Sequence, residues 1–306
     1  MGSGPRVVVG VPVYNGENYL DEALTALRTQ TLAEIAVVVS DNASTDGTAD
    51  LAKHHVAEDE RITVIHQPRN VGAAPNYNAT YTAAPPSDYF CWLAHDDLPR
   101  PEYLAACVVA LDADPAAVLA FARTVHIDES GDEVSHAPAR PALASADPAT
   151  RLADAIDHNN TNHPIFGVIR RTALDRTGLH GSYTGSDRTL VAELAMLGRF
   201  IEVPEELFAV REHPGRSVRA KTSKNRHTRE AWFDASRAGR IVFPRWRRLR
   251  GYARAIARAP LSSAERRRSY AVIGRWLLDG NWKSLGFDLG LAGKEIGRRV
   301  AGRMRR

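Results

Sequence analysis

Tyr89-Phe90-Cys91-Trp92-Leu93-Ala94-His95-Asp96-Asp97 is the segment on which the fold turns. Five apolar residues, a strand's length rather than a helix's, run into two adjacent carboxylates. Carboxylates at the end of a buried strand are costly to take out of water unless they are paired or bind a cation. In open α/β sheets the carboxyl edge of the strands is also where ligands bind. A hard divalent ion such as Mg2+ or Mn2+ accounts for both facts, because it takes oxygen ligands and shares them with phosphates. The competing reading is local: Asp96 and Asp97 turn the chain and cap a helix that begins near Pro101. The neighbouring segments decide between the two.

On both sides, short apolar runs alternate with helical patterns. Arg6–Val11, Ile35–Val39, Ile62–His66, Asp88–Leu93 and Ala117–Phe121 read as strands. Between them Asn18–Gln30, Gly47–Ala57, Ala73–Ala84 and Pro101–Leu111 read as helices, with Pro75 tolerated in a first turn. This alternation predicts an α/β fold with a largely parallel sheet covered on both faces. Beyond Thr124 the pattern loosens. Val125–His136 reads as a hairpin around Glu129-Ser130-Gly131-Asp132, and Ala137–Pro148 as an Ala/Pro-rich surface loop. Ala149–Asp157, Arg171–Asp175 and Arg188–Leu197 read as helices, and Arg199–Val203 and Glu206–Arg211 as short strands. Residues 228–306 read as mainly helical, broken at Pro244, Pro260 and Gly280.

The chain has 306 residues, 44% of them apolar, enough for one large or two ordinary domains. It has no apolar run of the roughly 18 residues that a membrane span needs. Met1-Gly2-Ser3-Gly4-Pro5 leads straight into a strand with no apolar leader, so a cytoplasmic protein is expected. Cys91 and Cys107 sit in apolar patterns and read as buried, reduced thiols.

The net charge of +4 conceals an asymmetry. Residues 1–220 carry 17 Lys and Arg against 30 Asp and Glu, a balance of −13, whereas residues 221–306 carry 23 against 6, a balance of +17. Two functional parts are expected: an acidic domain over 1–220 and a basic, mainly helical region over 221–306. In the basic part Trp232, Trp246, Trp276 and Trp282 lie among arginine clusters such as Arg245-Trp246-Arg247-Arg248 and Arg266-Arg267-Arg268. An anionic membrane surface is the leading partner for it. Docking on the acidic part, within one chain or across a homo-oligomer, follows closely. Nucleic acid ranks last, because no nucleic-acid motif accompanies the charge.

Each of the first four strands ends in residues suited to a ligand. The first ends Val11-Pro12-Val13-Tyr14-Asn15-Gly16, where the Tyr14 ring is placed to stack on a nucleobase. The second ends Ser40-Asp41-Asn42-Ala43-Ser44-Thr45-Asp46-Gly47-Thr48, with Asp41 placed to accept a hydrogen bond from a base N–H. The third ends His66-Gln67-Pro68-Arg69-Asn70-Val71-Gly72, a tight turn before a helix N-terminus. The fourth ends in Asp96 and Asp97. Each feature alone is explained by a cap or a turn. Together they describe a nucleotide cleft at one sheet edge.

These segments, with Asn78, resemble the successive motifs of glycosyltransferase family 2 over about residues 5–215. The resemblance implies the GT-A fold and a nucleotide-diphosphate sugar donor, uridine favoured. It implies that Tyr14 and Asp41 hold the base, with Pro12, Asn15, Asn42, Asn70, Gly72 and Asn78 in the same nucleotide-sugar site. Asp96 would contact the ribose or sugar, and Asp97 would ligate Mn2+ or Mg2+. Many members carry a further Asp where this chain has Ala94, so the aspartate motif is reduced to its final pair. Thr184-Gly185-Ser186-Asp187-Arg188 resembles the segment that carries the family's catalytic base, here Asp187, although a helix N-cap explains the same residues. Arg211-Glu212-His213 resembles the closing Arg-x-His segment, with His213 near the metal or diphosphate. Gly167-Val168-Ile169-Arg170-Arg171 resembles a segment on the acceptor side, with Asn162 and His163 nearby. The implied reaction is inverting transfer to a hydroxyl acceptor.

Two other enzyme classes lack their marks. A nucleotidyltransferase needs a Gly-rich loop bearing Arg or Lys after the first strand, and Val13–Asn18 has no basic residue there. A dinucleotide oxidoreductase needs Gly-x-Gly-x-x-Gly at that point, which is absent. The remaining alternative is a non-catalytic nucleotide-sugar sensor or scaffold on the same fold.

Overall fold

The structure, a computed structural model, describes residues 4–215 and 226–304. Its centre is β1 (Val7–Val13), buried along its whole length. A continuous apolar run, rather than alternation, is what a strand covered on both faces requires. β2 (Ile35–Asp41) and β4 (Tyr89–Trp92) flank β1 in parallel, and β3 (Ile62–His66) is parallel to β2. The crossovers run through α1 (Leu20–Arg28), α2 (Thr48–Glu58) and α3 (Ala73–Thr82). Because all four strands point the same way, their carboxyl ends form one edge.

The sheet order is β3-β2-β1-β4-β8-β6-β9-β5, with β7 paired to β6. β5 (Leu98–Pro99) leads into α4 (Tyr103–Ala113), after which β6 (Ala117–Ile127) pairs in parallel with β9 (Arg199–Arg211). β8 (Val168–Arg170) is antiparallel to β4 and β6, and β7 (Glu133–His136) folds back on β6 as the expected hairpin. The expected α/β architecture with a mostly parallel sheet is therefore present.

Two local expectations change. Arg199–Val203 and Glu206–Arg211 belong to one strand, not two. Its register against β6 slips between Ala122 and Thr124, opposite Pro204, which has no N–H to give to the ladder. Ala137–Pro148 is not simply a surface loop, because Leu143 is fully buried and Arg140 nearly so. The Arg140 guanidinium pairs with Asp154 and donates to Thr161 O at 2.6 Å, which holds the segment down.

Three helices accompany the second half of the sheet: α5 (Pro148–Ile156), the single turn α6 (Arg171–Leu174) and α7 (Ser186–Leu197). The basic region then forms α8 (Arg226–Phe233), α9 (Pro244–Arg258), α10 (Ser263–Trp276) and α11 (Trp282–Met304). A reciprocal Ser262–Glu265 capping box starts α10, and Gly280 at φ 98° kinks the chain before α11. Tyr252, Ile256, Ile273 and Trp276 join one hydrophobic cluster with Leu152 of α5 and Leu190 and Leu194 of α7. Each such buried side chain contributes about 1.5–3 kcal/mol. The C-terminal helices thus share a core with the first 220 residues. Among the described residues, no helix is long and apolar enough to cross a membrane.

Candidate active site

The carboxyl ends of β1 and β2 are laced together. The Asn15 N–H donates to Ser44 Oγ at 2.9 Å, and Asn15 Oδ1 accepts the Thr45 N–H at 2.9 Å. Asn15 (φ 51°) and Ala43 (φ 59°) both occupy the left-handed region without being glycine. Such residues cost about 1–3 kcal/mol each and persist where surrounding bonds over-determine them, commonly at ligand sites. One loop further, Asn42 Nδ2 donates to Asn70 Oδ1 at 3.1 Å and Asn42 Oδ1 accepts the Val71 N–H at 2.8 Å. Three strand ends are thereby tied into one rim.

At the end of β4, Asp96 Oδ2 lies 2.9 Å from His213 Nε2. Burial opposes the Asp96 charge, but His95 and the hydrogen bond from His213 hold its carboxyl below the usual range. Asp97 beside it is 2% exposed, and its Oδ1 accepts the Arg211 N–H at 3.1 Å. Arg211, 1% exposed, donates to Glu22 Oε2 at 2.6 Å and to Glu129 O at 3.0 Å. Arg211 therefore anchors the segment that presents His213. The Tyr19 ring packs edge-on against His213, with centroids 4.8 Å apart.

These elements enclose a cleft of about 450 Å³. Among the residues singled out from the sequence, Pro12, Tyr14, Asn15, Asn42, Asn70, Asp96 and His213 line it. Tyr14 stands at the rim with 43% of its surface exposed. Asp41, Gly72, Asn78 and Asp97 are outside the lining, each for a geometric reason. Asp41 lies beneath the rim, its oxygens taken by the Ser44 N–H at 3.0 Å and by His66 Nδ1 at 3.2 Å. Gly72 packs against Asp234. Asn78 exchanges two hydrogen bonds with the backbone of His180, at 2.9 and 3.0 Å.

Sequence reasoning missed Asn76, Tyr77, Trp232 and Ala235, which also line the cleft. Asn76 is 2% exposed, accepts from Ser40 Oγ at 2.7 Å and donates to Ser40 O at 3.0 Å. Its signal was a polar residue on the buried face of a helix. Trp232 had none, because only the return of the C-terminal region brings it here.

Asp187 lies in the first turn of α7, and the N-cap residue there is Gly185, in the left-handed conformation at φ 84°. Arg188 pins that turn by donating to Asp157 O at 2.6 Å and Asn160 O at 3.0 Å. Asp187 lines a small second cavity of about 80 Å³ that shares Ala73, Tyr77 and Trp232 with the larger cleft. Burial, and then the carboxylates of Asp96, Asp97 and Asp187, push the Tyr77 phenol far up, so it stays protonated between the two cavities. Asn162 and His163 open a 3₁₀ turn (His163–Phe166) and line neither cavity.

A family model for glycosyl transferase family 2 matches residues 8–178, more than half of the chain. A putative glycosyltransferase, EpsH of Bacillus subtilis (strain 168), is 33% identical over 99 residues, which are 32% of this chain and 28% of that protein. Chondroitin synthase of Escherichia coli is 26% identical over 133 residues, 43% of this chain and 19% of that protein. The chain therefore matches less than a third of the length of these curated relatives. TarS of S. aureus (residues 1–349, in complex with UDP) superposes with a TM-score of 0.62 at 18% identity, covering 88% of this chain and 71% of that one. The mannosyltransferase PcManGT from Pyrobaculum calidifontis, in complex with GDP-Man and Mn2+, superposes with a TM-score of 0.54 at 21% identity, covering 98% and 76%. At such identities the likeness speaks for the fold alone, the GT-A arrangement of a curled, mostly parallel sheet between helices. With more than half of its length matched by the family model and the expected strand ends gathered around one cleft, the chain belongs to glycosyl transferase family 2.

Proposed function

We propose that the protein is an inverting glycosyltransferase that moves a sugar from a nucleotide-diphosphate donor to a hydroxyl acceptor. The observation that carries this reading is the junction of two cavities: one holds the Asp96–His213 pair, the other holds Asp187, and they share Ala73, Tyr77 and Trp232. Tyr14 at the rim suits the base, and the Asn42–Asn70 lattice suits the ribose. Asp41 supports the base end from beneath through the Ser44 loop.

Asp96 and His213, a carboxylate oxygen and an imidazole nitrogen 2.9 Å apart, are the residues that would hold Mn2+ or Mg2+ together with the donor's diphosphate. Among the described residues no cluster of three or more acidic, His or Cys side chains is placed to hold a metal. When bound, the ion would offset charge on the departing diphosphate. In this reading Asp96, which lines the cleft, is the metal ligand, while Oδ1 of Asp97 supports the Arg211 backbone beside it. Asp187 would take the proton from the acceptor hydroxyl as its oxygen attacks the anomeric carbon. A single displacement of this kind inverts the anomeric centre. UDP is the leading nucleotide by the family resemblance, and neighbours of the same fold are in complex with UDP and with GDP-Man.

In this reading the basic part beyond residue 220 is an accessory region whose described residues, 226–304, complete the catalytic unit. Trp282, Leu289 and Ile296 of α11 remain more than half exposed on one stripe of a basic helix, which supports peripheral contact with an anionic membrane surface on the cytoplasmic side. Co-sedimentation with phosphatidylglycerol vesicles, lost in the triple Ala variant, tests that contact; equal sedimentation with neutral phosphatidylcholine would refute it.

The central test is calorimetric titration with UDP, GDP and dTDP, with Mn2+ and with chelator, on wild type, Asp96→Asn and Asp187→Asn. Metal-dependent binding of one nucleotide, lost in Asp96→Asn and kept in Asp187→Asn, is expected. Failure of all three to bind a folded sample would overturn the reading.

A further inference from the structure

The segment Glu230–Ala235 lies beyond residue 178, where the family match ends, yet it bridges the two cavities. It is held on the donor side by the Ala235 N–H donating to Val71 O at 3.1 Å. Gly72 makes that approach feasible, since a Cβ there would stand 2.7 Å from Asp234 Cα. On the Asp187 side, Thr184 Oγ1 donates to Glu230 Oε1 at 2.6 Å, two residues before Ser186 and the first turn of α7. Burial opposes the Asp234 charge, but the Ser182 hydroxyl and the Ser236 amide hold its carboxyl below the usual range, a second tie to the same loop. From α9, Arg247 also holds this loop by donating to Ser182 O at 3.2 Å. The strap is thus fastened to a donor loop and to the loop that presents Asp187.

Trp232 sits at the middle of this strap. It lines both cavities, and its indole is about one-third exposed, facing space rather than core. Phe233 beside it is 5% exposed and packs edge-on against it with centroids 5.1 Å apart, which anchors the strap while leaving the indole open. A flat, rigid, partly exposed indole is suited to an apolar sugar face, because it offers large contact area with few rotamers to lose.

We propose that Trp232 is a specificity residue that stacks on the sugar ring of the donor at the junction of the two cavities. The proposal rests on the donor reading above. In that reading the base end lies at Tyr14 and the diphosphate at Asp96 and His213. The sugar then falls on the side shared with the Asp187 cavity, which is where Trp232 stands. The chemical class recognised is a neutral hexopyranosyl group with one apolar face. On this proposal the basic C-terminal region supplies part of the active site through its first described element.

The test compares each sugar nucleotide with its own bare nucleotide. Calorimetric titrations with UDP, UDP-GlcNAc, GDP and GDP-mannose, all with Mn2+, are run on full-length wild type, Trp232→Phe and Trp232→Ala. For the pair that wild type binds, Trp232→Ala should weaken the sugar nucleotide about tenfold and the bare nucleotide less than twofold. Trp232→Phe should keep most of the sugar term, because it retains an aromatic face. Equal losses for sugar nucleotide and bare nucleotide in Trp232→Ala would overturn the platform and leave a role in strap stability. Unchanged binding of both would overturn it as well. Absence of all nucleotide binding in wild type is a different failure: it removes the donor reading, and the platform falls with it.

Discussion

Replacing Gly72 by alanine tests whether the C-terminal strap and the donor loop are one structure. Gly72 has φ 91° and ψ 167°, a region essentially restricted to glycine that costs other residues about 1–3 kcal/mol. The added Cβ would also lie 2.7 Å from Asp234 Cα, 2.8 Å from Asp234 N and 2.9 Å from Ala235 N. All three are backbone atoms, so no side chain can swing aside and the strap must retreat. Retreat breaks the 3.1 Å bond from the Ala235 N–H to Val71 O, worth about 1 kcal/mol. The expected loss is about 2–4 kcal/mol in all. Gly131 provides the control: it has φ 92°, and a methyl group added there would meet nothing within 4 Å, so Gly131→Ala carries only a backbone cost of about 1–2 kcal/mol. Urea unfolding of both variants and of wild type measures the difference, and nucleotide titration of Gly72→Ala should show weakened sugar-nucleotide binding because Trp232 moves with the strap. Equal destabilisation by the two substitutions would refute the contact between Gly72 and Asp234.

Asp96→Asn should abolish metal-dependent nucleotide binding. Asp97→Ala, which removes the acceptor, should lower stability by about 1–3 kcal/mol through the Arg211 backbone bond and leave metal dependence in place; the reverse pattern would return the metal to Asp97. Ile256→Ala, at a fully buried position of α9 shared with the α7 cluster, should cost about 2–5 kcal/mol and shift one common unfolding transition. Separate melting of the C-terminal helices would show instead that they fold independently. The Arg61 guanidinium, 2.7 Å from Asp59, holds the Asp59 carboxyl below its usual range. A carboxyl depressed in the folded state contributes stability that is present above about pH 4 and is lost as pH falls through its folded value. Asp59→Asn should therefore flatten the acid limb of the stability curve by about 0.5–1 kcal/mol; an unchanged acid limb would count against the pair.

The alternation of apolar runs with helical patterns was enough to specify the mostly parallel sheet, because β1, β2 and β4 are buried on both faces and their composition shows it. The gathering of Tyr14, Asn42, Asn70 and Asp96 at one edge follows from the same local facts, since parallel strands joined by short crossovers must end together. Which of two adjacent carboxylates faces the cleft was not legible. Asp96 and Asp97 are chemically identical, and only the arrival of β9, whose Arg211 amide takes Asp97, separates them. Asn78 reads as a ligand residue in the sequence, and only the tertiary structure shows its side chain bonded to the backbone of His180, 102 positions away. The placement of Trp232 lies furthest from the sequence. Its neighbours in the chain form an ordinary basic helix, and its role depends on a close backbone approach across Gly72 and a bond to Thr184. Local residue chemistry determined the strands and their polar ends. Only long-range packing, which decides the partner that satisfies each buried polar group, determined which of those ends remain open to a ligand.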